Sequence, residues 1–297
     1  MNHYDREQGG ASCPIFRKKG TRAVVLCDGP PPPRPLLEYW LNGADLFVCA
    51  DAAGHPYDHL PRTPDVVIGD FDSLAGRILD GRAGPRFLQV DDQYTTDSEK
   101  ALLFLVDEGV EEAVMMGATG WRLDHTLFNV HLLERFSDRL RICIAGHHAD
   151  TVRLGPGTEV SWDLPRGVQF SLIPMTGPVH GVTLEGAQFP LLGETLEPGG
   201  FAAISNRVDV SPLLISVAEG SVLVAVDRVN EGACLAEEAG QCGERGGVVV
   251  AVVGGIRRPD RHWLRNSRRL SSSSGCGHVC RYRDSSVVRD RRRKVTS

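Results

Sequence analysis

Three short stretches of the 297-residue chain combine side chains suited to phosphate chemistry, and each follows an apolar run. In Ile68-Gly69-Asp70-Phe71-Asp72-Ser73, two carboxylates flank a single residue. Paired acids at the C-terminal end of a strand lie where open α/β sheets bind ligands. They suit Mg²⁺, a hard cation that takes oxygen ligands and shares them with substrate phosphates. The plainer account is a solvated turn with Ser73 capping a helix. The second stretch runs from Asp91 to Lys100 (DDQYTTDSEK). Thr95 or Thr96 as a helix cap and Asp97 in the first turn explain one threonine and one acid. They leave Gln93 and Lys100 unexplained, and a helix N-terminus also offers N–H groups to phosphate oxygens.

The third stretch, Met116 to His125 (MGATGWRLDH), has glycines that allow close backbone approach. Arg122 can grip a phosphate with two N–H groups, and Asp124 can hold Arg122 or receive a hydroxyl. Taken singly, this is also the composition of a surface turn with an Arg-Asp pair. Three such stretches after three successive apolar runs would meet on one rim of a sheet. Carboxylates for metal beside a lysine and an arginine for phosphate are the equipment of a nucleotide-dependent transferase.

The elements that would position these residues follow from periodicity. From Arg22, short apolar runs (AVVLC, LFVCA, DVVIGD, RFLQV, AVMMG, RICIA) alternate with longer mixed segments. Thr96 to Glu108 reads as a helix with Ala101, Leu102, Leu105 and Val106 on one face, and Leu127 to Phe136 as another. This alternation predicts an open, parallel α/β sheet over residues 21–149. From about residue 150 to 229 the runs TVRL, QFSLIP, GVTLEG, AAISN, LLISVA and SVLVAV follow one another across Gly and Pro turns. That pattern predicts an antiparallel β-sandwich. Residues 1–20 and 230–297 read as disordered, the latter with the serine run Ser271 to Ser274.

Net charge is −5, but from Arg257 onward there are 13 Lys/Arg against 3 Asp/Glu, which leaves 20 basic against 35 acidic residues before it. An acidic body argues against nucleic-acid binding. No run reaches the roughly 18 apolar residues of a membrane helix. Met1 to Gly20 is polar, unlike a signal peptide. Cys27, Cys49 and Cys143 lie inside apolar runs, which predicts buried free thiols and a cytoplasmic location. Cys276-Gly277-His278-Val279-Cys280 lacks the second pair of a zinc site, and Arg291 to Lys294 and His147-His148 read as solvated surface.

Taken together, CADAAGHPYDHL, VVIGDFDS, DQYTTDSEKAL and GATGWRLDHTLFN, followed by SLIPMTGPVHGVTLEGAQFPLL and Ser205-Asn206, resemble the thiamine pyrophosphokinase family from about Arg22 to Val226. The resemblance implies a homodimer in which thiamine lies between the nucleotide domain of one subunit and the β domain of the other. By that resemblance Asp70, Asp72 and Asp97 bind Mg²⁺. Asp51, Gln93, Thr96, Lys100, Arg122 and Asp124 surround ATP, and Ser205 and Asn206 face thiamine. The implied reaction is attack of thiamine's hydroxyl on the β-phosphorus of ATP, with Arg122 offsetting charge and Asp72 or Asp97 orienting the hydroxyl proton. Two departures stand out: Asp51-Ala52-Ala53-Gly54 replaces an Asp-Gly-Gly segment, and Trp121 sits in a turn that is denser in glycine elsewhere in the family. A pterin pyrophosphokinase and a catalytically silent nucleotide- or thiamine-binding dimer are the competing readings.

Overall fold

Hydrophobic runs too short for helices and too continuous for one-sided strands become six parallel strands: β1 (Arg22–Leu26), β2 (Leu46–Ala50), β3 (Val66–Gly69), β4 (Arg86–Gln89), β5 (Glu112–Met116) and β6 (Arg141–Ala145). A computed structural model describes residues 13–54, 59–71 and 84–228; Asp72, Ser73 and the expected tail over 230–297 lie outside the described residues. The parallel strands stand in the order β6-β5-β1-β2-β3-β4. β1 shows why its run is unbroken: Val24 and Leu26 face one core, while Ala23, Val25 and Cys27 face the other. Helix α1 (Arg34–Asn42) packs Leu37, Trp40 and Leu41 into the first core. Helices α2 (Asp97–Asp107) and α3 (Leu123–Arg135) pack Ala101, Leu102, Leu105, Leu132 and Leu133 into the second. Each fully buried leucine contributes roughly 1.5–3 kcal/mol. Cys27, Cys49 and Cys143 are buried free thiols, and burial pushes Cys27 up to about 12.

After β6 the chain reverses, and β7 (Ala149–Leu154) pairs antiparallel with it, Cys143 opposite Val152. Three more antiparallel strands continue outward: β14 (Val222–Asp227), β9 (Gln169–Pro174) and β12 (Ala203–Arg207). A second, four-stranded sheet has the order β11 (Leu191–Leu196), β10 (Val179–Glu185), β13 (Leu213–Val217), β8 (Thr158–Trp162). Phe170 and Leu172 of the first sheet share one buried cluster with Leu184 and Ile215 of the second. The antiparallel strands are therefore two-layered, as expected. The expectation of a parallel-sheet domain followed by a separate sandwich needs correcting, because one layer of the sandwich is the continuation of the parallel sheet through β6 and β7. The physical reason is the hydrogen-bonding edge of β6, which β7 satisfies directly.

The end of the sheet opposite the strand C-termini is fastened by a buried ion pair. Parallel register sets Arg22 beside Glu112, and Nε and Nη2 of Arg22 donate to Glu112 Oε2 at 2.9 and 2.7 Å. Arg22 also donates to the Phe16 carbonyl and lies over the Phe16 ring. Cys13–Phe16, within the stretch expected to be disordered, form a β-bridge and bury Cys13, Ile15 and Phe16. That expectation fails for these residues because the short CPIF run supplies the aromatic and carbonyl partners that the Arg22 guanidinium needs. Among the described residues no helix is long and apolar enough to cross a membrane.

Candidate active site

β5 returns to the far side of β1 from β2, so the loops after β1 and β5 leave the sheet in opposite directions and open a crevice between them. Both loops carry glycine there, and the packing explains it. A Cβ on Gly29 would stand 2.0 Å from the Gly117 carbonyl oxygen, and one on Gly117 would stand 2.5 Å from that of Cys27. Gly117 is also left-handed, at φ 63. The predicted residues of the first half collect along this rim. Asp51 begins a 3-10 turn (Asp51–Gly54) after β2, and Asp70 follows β3. A Cβ on Gly69 would come within 2.8 Å of Asp51 Cβ, so that glycine makes room for the carboxylate next door.

Gln93 reaches from the loop before α2 and donates from Nε2 to Asp70 Oδ2 at 3.5 Å. Thr96 caps α2, its hydroxyl oxygen accepting from the Glu99 N–H at 3.3 Å, as the sequence predicts. One turn in, the buried Lys100 donates from Nζ to Asp97 Oδ1 at 2.9 Å. Arg122 stands at the N-terminus of α3, with Nε and Nη2 on the Asp124 carboxylate at 3.2 and 2.7 Å. The Arg122 bonds, then the His125 N–H, hold the Asp124 carboxyl down at about 2. The helix starts a turn earlier than the expected Leu127, since Thr126 Oγ1 and Asn129 Nδ2 bind the Gly120 and Ala118 backbone and draw the turn onto α3.

Sequence reasoning missed Asp28. It follows β1 in Cys27-Asp28-Gly29, at the crevice itself. Cys27, just after β1, and Ser98, in the first turn of α2, are both buried. Asp28 is exposed, and partial desolvation, then the negative charge of Asp97, raise the proton affinity of its carboxyl, while His125 partly offsets the shift. The available signal was an Asp-Gly pair directly after the first apolar run. Helices α2 and α3 are themselves joined by an ion pair, Glu99 to Arg135 at 2.6 Å.

Among the described residues no three His, Cys, Asp or Glu side chains form a group that could hold a metal ion, and Asp72 is outside them. The donor chemistry nonetheless fits Mg²⁺: the acids are oxygen donors only, and Asp28 and Asp97 raise a negative potential that a divalent cation would relieve.

Ser205 and Asn206 are not on this rim. They lie on β12, an edge strand, six strand spacings from β1, or about 29 Å at roughly 4.8 Å each. Asn206 is buried: its Nδ2 donates to the Phe189 carbonyl at 2.8 Å, and its Oδ1 accepts from the Phe189 and Arg207 N–H groups at 3.1 and 2.8 Å. Ser205 is exposed and left-handed, at φ 56, its N–H donating to Ser171 Oγ at 3.0 Å.

The family profile described as "Thiamin pyrophosphokinase, catalytic domain" matches residues 37–144, and "Thiamin pyrophosphokinase, vitamin B1 binding domain" matches residues 161–222. Thiamine pyrophosphokinase 1 of Oryza sativa subsp. japonica is 30% identical over 220 residues, covering 65% of this chain and 82% of the relative. Thiamine pyrophosphokinase 1 of Arabidopsis thaliana is 31% identical, covering 64% and 80%. The crystal structure of thiamin pyrophosphokinase from Geobacillus thermodenitrificans aligns with a TM-score of 0.61 at 26% identity, over 71% of this chain and 99% of that one. With both profiles matched in order and most of each plant relative spanned, the chain belongs to the thiamine pyrophosphokinase family.

Proposed function

We propose that the chain transfers the pyrophosphoryl group of ATP to the hydroxyl of thiamine, giving thiamine diphosphate and AMP, and that it does so as a homodimer with Mg²⁺. The observation that carries the reading is the gathering of Asp70, Asp97, Lys100, Arg122 and Asp124 on one rim beside a topological crevice. In this reading Asp70, Asp72 and Asp97 would hold Mg²⁺, which when bound supplies positive charge to the phosphate oxygens. Asp51, Gln93 and Thr96 line the ATP site. The Lys100 ammonium fixes the Asp97 carboxylate, and Asp124 orients Arg122 while leaving Nη1 for a phosphate oxygen. The N-termini of α2 and α3 add partial positive charge where negative charge accumulates in the transition state. Asp72 or Asp97 would orient the hydroxyl proton.

Ser205 and Asn206 are proposed to face thiamine, with Asn206 holding the backbone beneath Ser205. The separation of about 29 Å between β1 and β12 supports a site shared between two subunits, because a substrate of two small rings cannot reach from Ser205 to the rim of its own chain. The test is AMP release from ATP with magnesium, with and without thiamine. Thiamine-dependent AMP and thiamine diphosphate in equal amounts are expected; thiamine-independent or absent release would overturn the assignment.

A further inference from the structure

Trp121 occupies a position that physical economy would give to glycine. Its backbone is left-handed, at φ 36, a region disfavoured for a residue with a Cβ. The indole is 74% exposed, whereas the other two described tryptophans, Trp40 and Trp162, are buried. Among the described residues its ring makes no aromatic or cation-π contact. It directly precedes Arg122, and Leu123 beside it is exposed as well. Neither packing nor turn geometry thus accounts for a large flat side chain held in solvent next to a phosphate-binding arginine.

We infer that Trp121 is a stacking platform for a planar heterocycle of a substrate bound at the rim, and so a specificity-determining residue of this site. The inference rests on the proposed function, which supplies two sources of such a ring: the adenine of ATP, and the pyrimidine and cationic thiazolium of thiamine. Both would lie against an indole face, the thiazolium with added cation-π attraction. A ring stacked on Trp121 sits one residue from the group that grips phosphate, so the same loop reads the flat part of a substrate and its charge.

The full chain and its Trp121→Phe and Trp121→Ala variants would be compared in steady-state kinetics and by tryptophan fluorescence. Trp121→Ala should lower kcat/KM roughly tenfold, chiefly through the KM of one substrate, and Trp121→Phe should retain most of it. Fluorescence of the wild type should be quenched by the ring-bearing ligand and not in Trp121→Phe. Quenching by α,β-methylene-ATP with magnesium, but not by magnesium tripolyphosphate, assigns adenine; quenching by thiamine alone assigns thiamine. Equal KM values in Trp121→Ala and wild type, with no quenching by either probe, overturn the inference. So does loss of the dimer in Trp121→Ala with unchanged quenching, which would make Trp121 a subunit contact. If the wild type releases no thiamine-dependent AMP, it is the proposed function that fails, and quenching by α,β-methylene-ATP still reports on Trp121.

Discussion

In the antiparallel half of the molecule the left-handed positions among the described residues are held by seven glycines, Gly181 and Gly193 within strands and Gly157, Gly167, Gly186, Gly199 and Gly220 in loops, and by Ser205, at the irregularity where β12 pairs with β9. In the parallel half the corresponding non-glycine residues are Asp51, Phe71 and Trp121, each inside a stretch that carries candidate site residues. A turn that only has to bend uses glycine, because any Cβ in this region costs roughly 1–2 kcal/mol. A side chain kept there at that cost is wanted for something besides the turn. By this criterion the rim, at the ends of the interior strands β1, β2, β3 and β5, and Ser205, on the edge strand β12, belong together although they are far apart in one sheet.

The largest effect that would sharpen the contrast is on chemistry. Asp70→Asn and Asp97→Asn should each lower pyrophosphoryl transfer by roughly 10²-fold or more at saturating magnesium while the thermal melt stays near wild type, since they remove charge from a rim rather than bulk from a core. Turnover within tenfold of wild type in both would show that the chemistry lies elsewhere. Next in size is subunit sharing. Asp97→Asn and Asn206→Ala proteins, each weak alone, should recover to about a quarter of wild-type activity when mixed and exchanged, as half the dimers are mixed and each has one intact site. Failure to recover after verified exchange would put the site within one chain.

A crossed pair of substitutions tests the backbone argument itself. Ser205→Gly should keep the melting temperature and raise the KM for thiamine several-fold. Gly157→Ala, in open space at φ 68, should cost about 1 kcal/mol in denaturant unfolding with unchanged kinetics. The opposite pattern in either protein breaks the comparison.

The smallest expected effect concerns Asp28. A carboxyl whose folded-state proton affinity is raised withdraws stability from the fold as pH rises through its folded pKa. Asp28→Asn should therefore stabilise the protein at neutral pH, by under about 1 kcal/mol because the group is partly solvated. The gain should disappear below about pH 4, where the wild-type carboxyl is protonated both folded and unfolded. A gain that persists in acid would assign the effect to something other than charge.

Local signals in the sequence carried most of the rim. Thr96 as a cap, Asp70 at a strand end and the Arg122-Asp124 pair are all set by residues within a few positions of one another, and periodicity finds them. Asp28 escaped because its importance comes from β5 lying beside β1, a pairing across some 90 residues that no local pattern states. Strands β8 and β11 escaped for another reason. β8 is an edge strand whose alternate residues Glu159 and Ser161 are polar, and β11 is an edge strand largely exposed and interrupted by Gly193. The family resemblance supplied Ser205 and Asn206, but not that the Asn206 amide is committed to the Phe189 backbone.

The pairing of β6 with β7 has a consequence for how such a protein could be inherited or divided. Two family profiles match this chain as successive segments, as though each were a portable module. A gene fragment ending near Ala145 would leave β6 with a full row of bare N–H and C=O groups along an apolar strand, an open template for aggregation. The two segments are separable on paper and inseparable in water, so recombination that swaps one must carry a matching edge for the other.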